Sequence, residues 1–278
     1  MRSFKLDELL RRLLSFRKNI FHTLNAEKNK AQQRLVFVAG VQRSGTNMMM
    51  DVLEKSYETD VYHERDERAF NNYEMRDVAV VKKLLDRSKA PCFIIKSLCE
   101  LQDLNQLMKE FSPAKVVWVS RHYDDVSNSM LVSFKNQAKQ VKRIVERRSS
   151  EWWLGKGMSD ETYAILKKLV HSAISDASSA ALIWYFRSVL FFEQGFDRNS
   201  QVQLVQYENL VAEPQQEFAR IFHFLNLDYS QRLSRKVFAS SVRKREQLDI
   251  DAPIREMCDE LILRFDAVAT QQRRYFKD

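Results

Sequence analysis

Glycine and proline are scarce in this chain, at 5 and 4 of 278 residues. Collagen-like and low-complexity architectures are thereby excluded, and a glycine next to an apolar run carries positional meaning. Three cysteines, Cys92, Cys99 and Cys258, are odd in number and fit no zinc spacing. They read as buried, inert thiols in a reducing compartment. No Asn-x-Ser/Thr sequon occurs, and no internal repeat. No apolar run reaches membrane-spanning length: the best, "AALIWYFRSVLFF", is interrupted by Arg187. The N-terminus has no uninterrupted apolar stretch of the signal-peptide kind. The expectation is a cytoplasmic protein without a membrane span.

What is present is a 45% hydrophobic composition, enough for a sizeable core, and a formal net charge of +8. A basic surface favours anionic ligands, although it also serves plain solubility. No nucleic-acid-binding motif accompanies the charge, so nucleic acid is not an expected partner. In residues 4–24, Phe4, Leu6, Leu9, Leu10, Leu13, Phe16, Ile20 and Leu24 recur at helical spacing, with Arg11, Arg12, Arg17 and Lys18 among them. This predicts a basic amphipathic helical arm over residues 1–32, docked on its own domain or a second subunit, or lying on a membrane surface. Homo-oligomerisation stays open.

From residue 33 onward, short apolar runs alternate with helical patterns. "RLVFVAG", "TDVYHE", "PCFIIK", "AKVVWVSR" and "VQLVQY" read as strands. The segments between them read as helices, including all of 73–88, a helical insertion at about 135–195 broken near Gly155–Gly157, and a long polar helix from about Ile254. Five buried strands with helical crossovers predict an α/β fold, a three-layer α/β/α with a central, mostly parallel five-stranded sheet. Ligands of such sheets sit at the carboxyl ends of the strands.

"VFVAGVQRSGTNMMM" is a strand, a tight loop and a helix start. Gly40 and Gly45 free the backbone N–H groups to face an anion, and the helix N-terminus adds positive potential. Ser44, Thr46 and Asn47 lie in the same stretch, and Thr46 or Asn47 either caps the helix or touches a phosphate oxygen. A Walker A loop needs Lys directly after the second Gly; here Thr46 stands there, and the cation is Arg43, two residues before Gly45. A kinase would therefore need a degenerate loop. After the fourth strand, "VWVSRHYDDVSNSM" carries Arg121 and, eight residues later, Ser129, a guanidinium and a hydroxyl suited to one phosphate. A third segment, "VQYENLVAEPQQEFARIFHFLNL", carries Tyr207 and Glu208 before an amphipathic helix.

These three segments, in this order, resemble the sulfotransferases that use 3′-phosphoadenosine-5′-phosphosulfate (PAPS). The Arg-type "RSGT" loop is similar to that of the protein-tyrosine and Golgi carbohydrate enzymes. The resemblance spans residues 34–227 and implies a P-loop-like fold. It implies that Arg43, Ser44, Gly45, Thr46 and Asn47 hold the 5′-phosphosulfate, that Arg121 and Ser129 hold the 3′-phosphate, and that Tyr207 lies near the nucleotide. Glu208 reads as a structural or capping residue.

In-line sulfonate transfer needs cations on the leaving oxygen and a base for the acceptor proton. Lys96, at the end of "FIIK", supplies an ammonium at the sheet edge. Cytosolic relatives carry Lys-x-His here, but this chain has Lys96, Ser97 and Leu98, so the base must come from elsewhere. Glu64, 21 residues past Arg43, resembles the catalytic Glu of tyrosine sulfotransferases. His63 is the second candidate. Catalytic roles are thus expected for Glu64, Lys96 and Arg43, with no metal. Ser240, Arg243 and Lys244 are a further phosphate clamp or a solvated loop, and Trp152 with Trp153 either line an acceptor pocket or pack the core. The acceptor itself (carbohydrate, lipid, peptide or small alcohol) is not legible, and a non-catalytic member that binds only the desulfated nucleotide, PAP, is the alternative to an enzyme.

Overall fold

A computed structural model describes residues 2–237 and 247–277, with side chains for 13–237 and 247–274. Ser240, Arg243 and Lys244 lie outside the described residues. Helices α1 (Arg2–Leu24) and α2 (Ala26–Ala31) precede β1 (Arg34–Ala39). Then come α3 (Thr46–Leu53), β2 (Thr59–Tyr62), the short strands β3 (Phe70–Asn71) and β4 (Glu74–Met75), α4 (Val78–Arg87), β5 (Cys92–Ser97), α5 (Leu104–Glu110) and β6 (Ala114–Ser120). Helices α6 (Tyr123–Ser133), α7 (Gln137–Glu146), α8 (Asp160–Leu169), α9 (Asp176–Ser188) and α10 (Leu190–Glu193) lead to β7 (Val202–Gln206). Four more helices follow: α11 (Tyr207–Ala212), α12 (Pro214–Phe224), α13 (Gln231–Ser234) and α14 (Ala252–Lys277).

The five strands form one sheet in the order β2–β5–β1–β6–β7, every pairing parallel. Continuous apolar runs are what a sheet covered on both faces requires. In β1, Leu35, Phe37 and Ala39 enter one core with Trp118 and Phe191, while Val36 and Val38 enter a second core with Met49, Val205 and Phe222. The expected three-layer architecture is present. The chain leaves β1 first toward β2 and β5, and only later toward β6 and β7. That reversal opens a crevice at the carboxyl end of β1.

Two sequence-based expectations need correction. Residues 73–88 are not all helical: Tyr73 belongs to a turn, and Glu74–Met75 pairs with Phe70–Asn71 as an antiparallel hairpin before α4 begins at Val78. The C-terminal helix is not simply polar, because Ile254, Cys258, Leu261 and Phe265 bury one face of α14 in the core. All three cysteines are free and buried. Among the described residues no helix is long and apolar enough to cross a membrane.

Candidate active site

The β1–α3 loop is held from both sides. Gly40 has φ 147°, and a Cβ there would lie 2.3 Å from the Val119 carbonyl oxygen at the end of β6. Gly45 has φ 103°, and its Cβ would lie 2.3 Å from the Tyr207 ring. Glycine at both positions lets the loop slot between β6 and Tyr207. Arg43 itself adopts φ 71°, a left-handed conformation seldom taken by a long side chain. The Ser44 hydroxyl is buried and has no hydrogen-bond partner among the described residues. Buried hydroxyls are ordinarily satisfied, so an unpartnered one in a glycine-bounded loop at a helix N-terminus fits a phosphate ligand.

Beside this loop, Lys96 projects from the end of β5, with 1% of the residue exposed. Its Nζ lies 2.6 Å from Glu64 Oε2 and donates to Asn47 Oδ1. Burial pulls the Lys96 ammonium below its ordinary value, against the pull of Glu64. For Glu64, burial acts upward, but the hydrogen bond and charge of Lys96 outweigh it and hold the carboxyl below the usual carboxylate value. Glu64 is therefore ionised and close to a cation, although charge–charge distance alone makes it a restrained base.

Arg121 leaves β6 buried, its guanidinium 4.4 Å above the Tyr207 ring and 3.6 Å from Asp125. Its Nη1 donates to the Arg43 carbonyl at 3.2 Å. Arg43 Nε in turn donates to Ser129 Oγ on α6 at 2.8 Å. Residues assigned from sequence to opposite ends of one ligand thus stand in direct contact. Glu208 accepts from the His122 backbone N–H at 2.9 Å, which ties α11 to the start of α6.

Arg43, Gly45, Thr46, Asn47, Glu64, Lys96, Arg121, Ser129 and Tyr207 line one cleft of about 610 Å³, whereas Ser44, which is buried, and Glu208 do not reach its lining. Among the described residues its charged lining is Arg43, Arg65, Lys96 and Arg121 against the single acid Glu64. A cleft of one dominant sign with low-dielectric walls concentrates anions. Its lining also includes apolar and aromatic side chains, Leu98, Cys99, Tyr73, Phe134, Trp152 and Trp153. Trp152 Nε1 donates to Glu74 Oε2 at 2.6 Å, and Trp153 lies under the buried Arg187 guanidinium at 5.1 Å. Sequence reasoning left the two tryptophans between an acceptor pocket and the core, and Trp153 belongs to the core cluster while also lining the cleft; it missed Arg65, Tyr73 and Phe134. Adjacency of Arg65 to Glu64 was the available signal; the hairpin turn that presents Tyr73 left none.

His63 stands apart from the residues lining the cleft. Its Nε2 lies 3.6 Å from Glu54, whose hydrogen bond raises the imidazole above its ordinary value. With Asp51 and Glu54 it forms a cluster whose potential ligand atoms lie within 4.8 Å of one another, two of the three residues being exposed.

Fold and cleft together define a parallel-sheet α/β protein with a cationic cleft beside the glycine-bounded loop after β1. The sequence model of the sulfotransferase domain matches residues 33–249, and the chain belongs to that family. Its structure is similar to the sulfotransferase domain from the curacin biosynthetic pathway, at 12% identity and TM-score 0.50, covering 82% of this chain and 97% of that one. The sulfotransferase from Alicyclobacillus acidocaldarius is 14% identical with TM-score 0.50, covering 87% and 99%. A mouse sulfotransferase complexed with PAP is 16% identical with TM-score 0.48, covering 87% and 89%. At such identities the likeness concerns the fold. No curated protein matches.

Proposed function

We propose that this protein transfers a sulfonate group from PAPS to a hydroxyl or amine of an acceptor. The observation that carries the reading is the Lys96–Glu64 pair beside the phosphate loop, in the same cleft as Arg43, Arg121 and Ser129. In this reading Ser44, Gly45, Thr46 and Asn47 receive the 5′-phosphosulfate through backbone N–H groups and hydroxyls. Arg121 and Ser129 receive the 3′-phosphate, and Tyr207 flanks the nucleotide. Arg43, bonded to Ser129 and bonded through its carbonyl to Arg121, is shared between the two ends.

The acceptor oxygen or nitrogen bonds to sulfur as the bond from sulfur to the bridging oxygen breaks. PAP departs with that electron pair, and Glu64 takes the acceptor proton. Lys96 meets the charge that builds on the bridging oxygen. Turning Lys96 from Glu64 toward that oxygen removes the cation that depresses the carboxyl, so Glu64 gains basicity as it is needed. A kinase reading lacks its Walker lysine, and no feature of the cleft favours it.

The experiment is transfer of radiolabelled sulfonate from PAPS over a panel of carbohydrate, lipid, peptide and small-alcohol acceptors. Glu64→Gln is expected to keep PAP affinity while turnover falls by about 10² or more. A fully active Glu64→Gln enzyme places the base elsewhere. PAP binding without transfer to any acceptor marks a non-catalytic member.

A further inference from the structure

Helix α1 is turned the opposite way from an ordinary surface helix. A docked amphipathic helix buries its apolar stripe and shows its polar face to water. In α1 the residues facing the domain are polar anchors. Lys18 is buried, and its Nζ donates to the Glu54 carbonyl at 2.9 Å and to Thr59 Oγ1 at 3.2 Å. His22, one turn on, is buried with Nε2 2.7 Å from the Tyr57 carbonyl oxygen. On the other side stand Leu13, Phe16, Ile20 and Leu24, within an arc of about 80° at helical periodicity. All four are exposed, Phe16 at 63% and Leu24 at 79%. Phe21 extends the stripe by meeting the exposed Tyr57 at 6.2 Å between ring centroids.

Charge selects the occupant of this face. Over residues 13–24 the charged side chains are Arg17 and Lys18, with no Asp or Glu; Asp7 and Glu8 lie earlier in the helix, close in sequence to Arg11 and Arg12. Arg17 is exposed on the flank of the stripe. A second copy that met residues 13–24 with its own residues 13–24 would set Arg17 against Arg17, with no acid in this stretch to pair them. An anionic bilayer supplies both what the stripe needs and what the cations need: acyl chains for Leu13, Phe16, Ile20 and Leu24, and phosphate headgroups for Arg17. Tyr57 suits the same boundary, an apolar ring with a polar tip.

We propose that the outward face of α1 is a peripheral membrane anchor that seats the protein on an anionic lipid surface. The anchor does not depend on the sulfotransferase chemistry.

Flotation of the full chain with vesicles of equal parts phosphatidylglycerol and phosphatidylcholine tests this. The wild type is expected to float with these vesicles, to float poorly with phosphatidylcholine alone, and to be released by high salt. The double variant Phe16→Glu, Ile20→Glu is expected to lose at least about tenfold in bound fraction. Both positions are exposed, so its thermal unfolding and its PAP affinity should match the wild type. Arg17→Glu should weaken flotation while leaving the apolar stripe intact. Wild-type protein that stays with the soluble fraction overturns the proposal, as does equal flotation of the double variant. A dimer in light scattering that the double variant dissolves, without wild-type flotation, overturns it in favour of self-association.

Discussion

Lys96 and Glu64 share a buried ion pair, and each sets the protonation of the other. With Lys96 present, the Glu64 carboxyl lies below its ordinary value in the folded chain. A depressed carboxyl contributes stability above its unfolded value and loses it as pH falls through the folded one. Replacing Lys96 with Met leaves burial as the main influence, and burial acts upward. In Lys96→Met, Glu64 followed by carbon NMR is therefore expected to titrate above its ordinary value instead of below it. The linked stability then changes sign, declining as pH rises through the raised value. A carboxyl that titrates in the same place in both proteins would mean that the pair does not form. At this scale the sequence was informative about residue types and weak about partners. Arg43, Ser129 and Arg121 were singled out by their likeness to the sulfotransferase motifs, but the Arg43–Ser129 hydrogen bond was not foreseen, because segments from different strands meet there. His63 next to Glu64 reads as an equal candidate in sequence. In space it turns to Glu54, because successive residues at a strand end point to opposite sides.

The phosphate loop, as an element, depends on two places where only a hydrogen fits. At Gly45, φ 103° and the Tyr207 ring both stand against any side chain. Gly45→Ala is expected to carry roughly 1–3 kcal/mol of backbone strain and to push Tyr207 away, weakening PAP binding by about ten- to a hundredfold. Titration calorimetry reads this, and adding Tyr207→Ala should relieve the steric part only. An unchanged affinity in Gly45→Ala would remove the loop from the binding site. Strands β1, β5, β6 and β7 were legible because each is a short, mostly apolar and mostly buried run, whereas β2 is a half-buried edge strand with a weaker signal. The β3–β4 hairpin was not, since its two-residue strands carry no periodicity. A tertiary contact helps hold it, the Met75 N–H donating to Glu100 Oε1 at 2.6 Å. The hairpin matters because it brings Tyr73, and through Glu74 also Trp152, to the cleft wall.

The whole molecule places its chemistry at one end of the sheet and its unpaired apolar helix face elsewhere, on α1 across from Lys18 and His22. Family and fold follow from the matched domain and the parallel sheet order, while Tyr73, Phe134, Trp152 and Trp153 reach the cleft from three separate segments. Spacing in a sequence reports residues on one element well and residues converging from several elements poorly, which is why the phosphate loop could be read as a unit and the aromatic side of the cleft could not.

One bisphosphorylated nucleotide bridging the loop and the end of β6 is the claim on which the rest depends. Isothermal titration with PAP, and separately with ATP and magnesium, tests it most directly. PAP is expected to bind the wild type in the micromolar range, with Arg43→Ala and Arg121→Ala each abolishing binding and ATP giving no heat of binding. Tight ATP binding without PAP binding, or full PAP affinity in either arginine variant, would contradict the account.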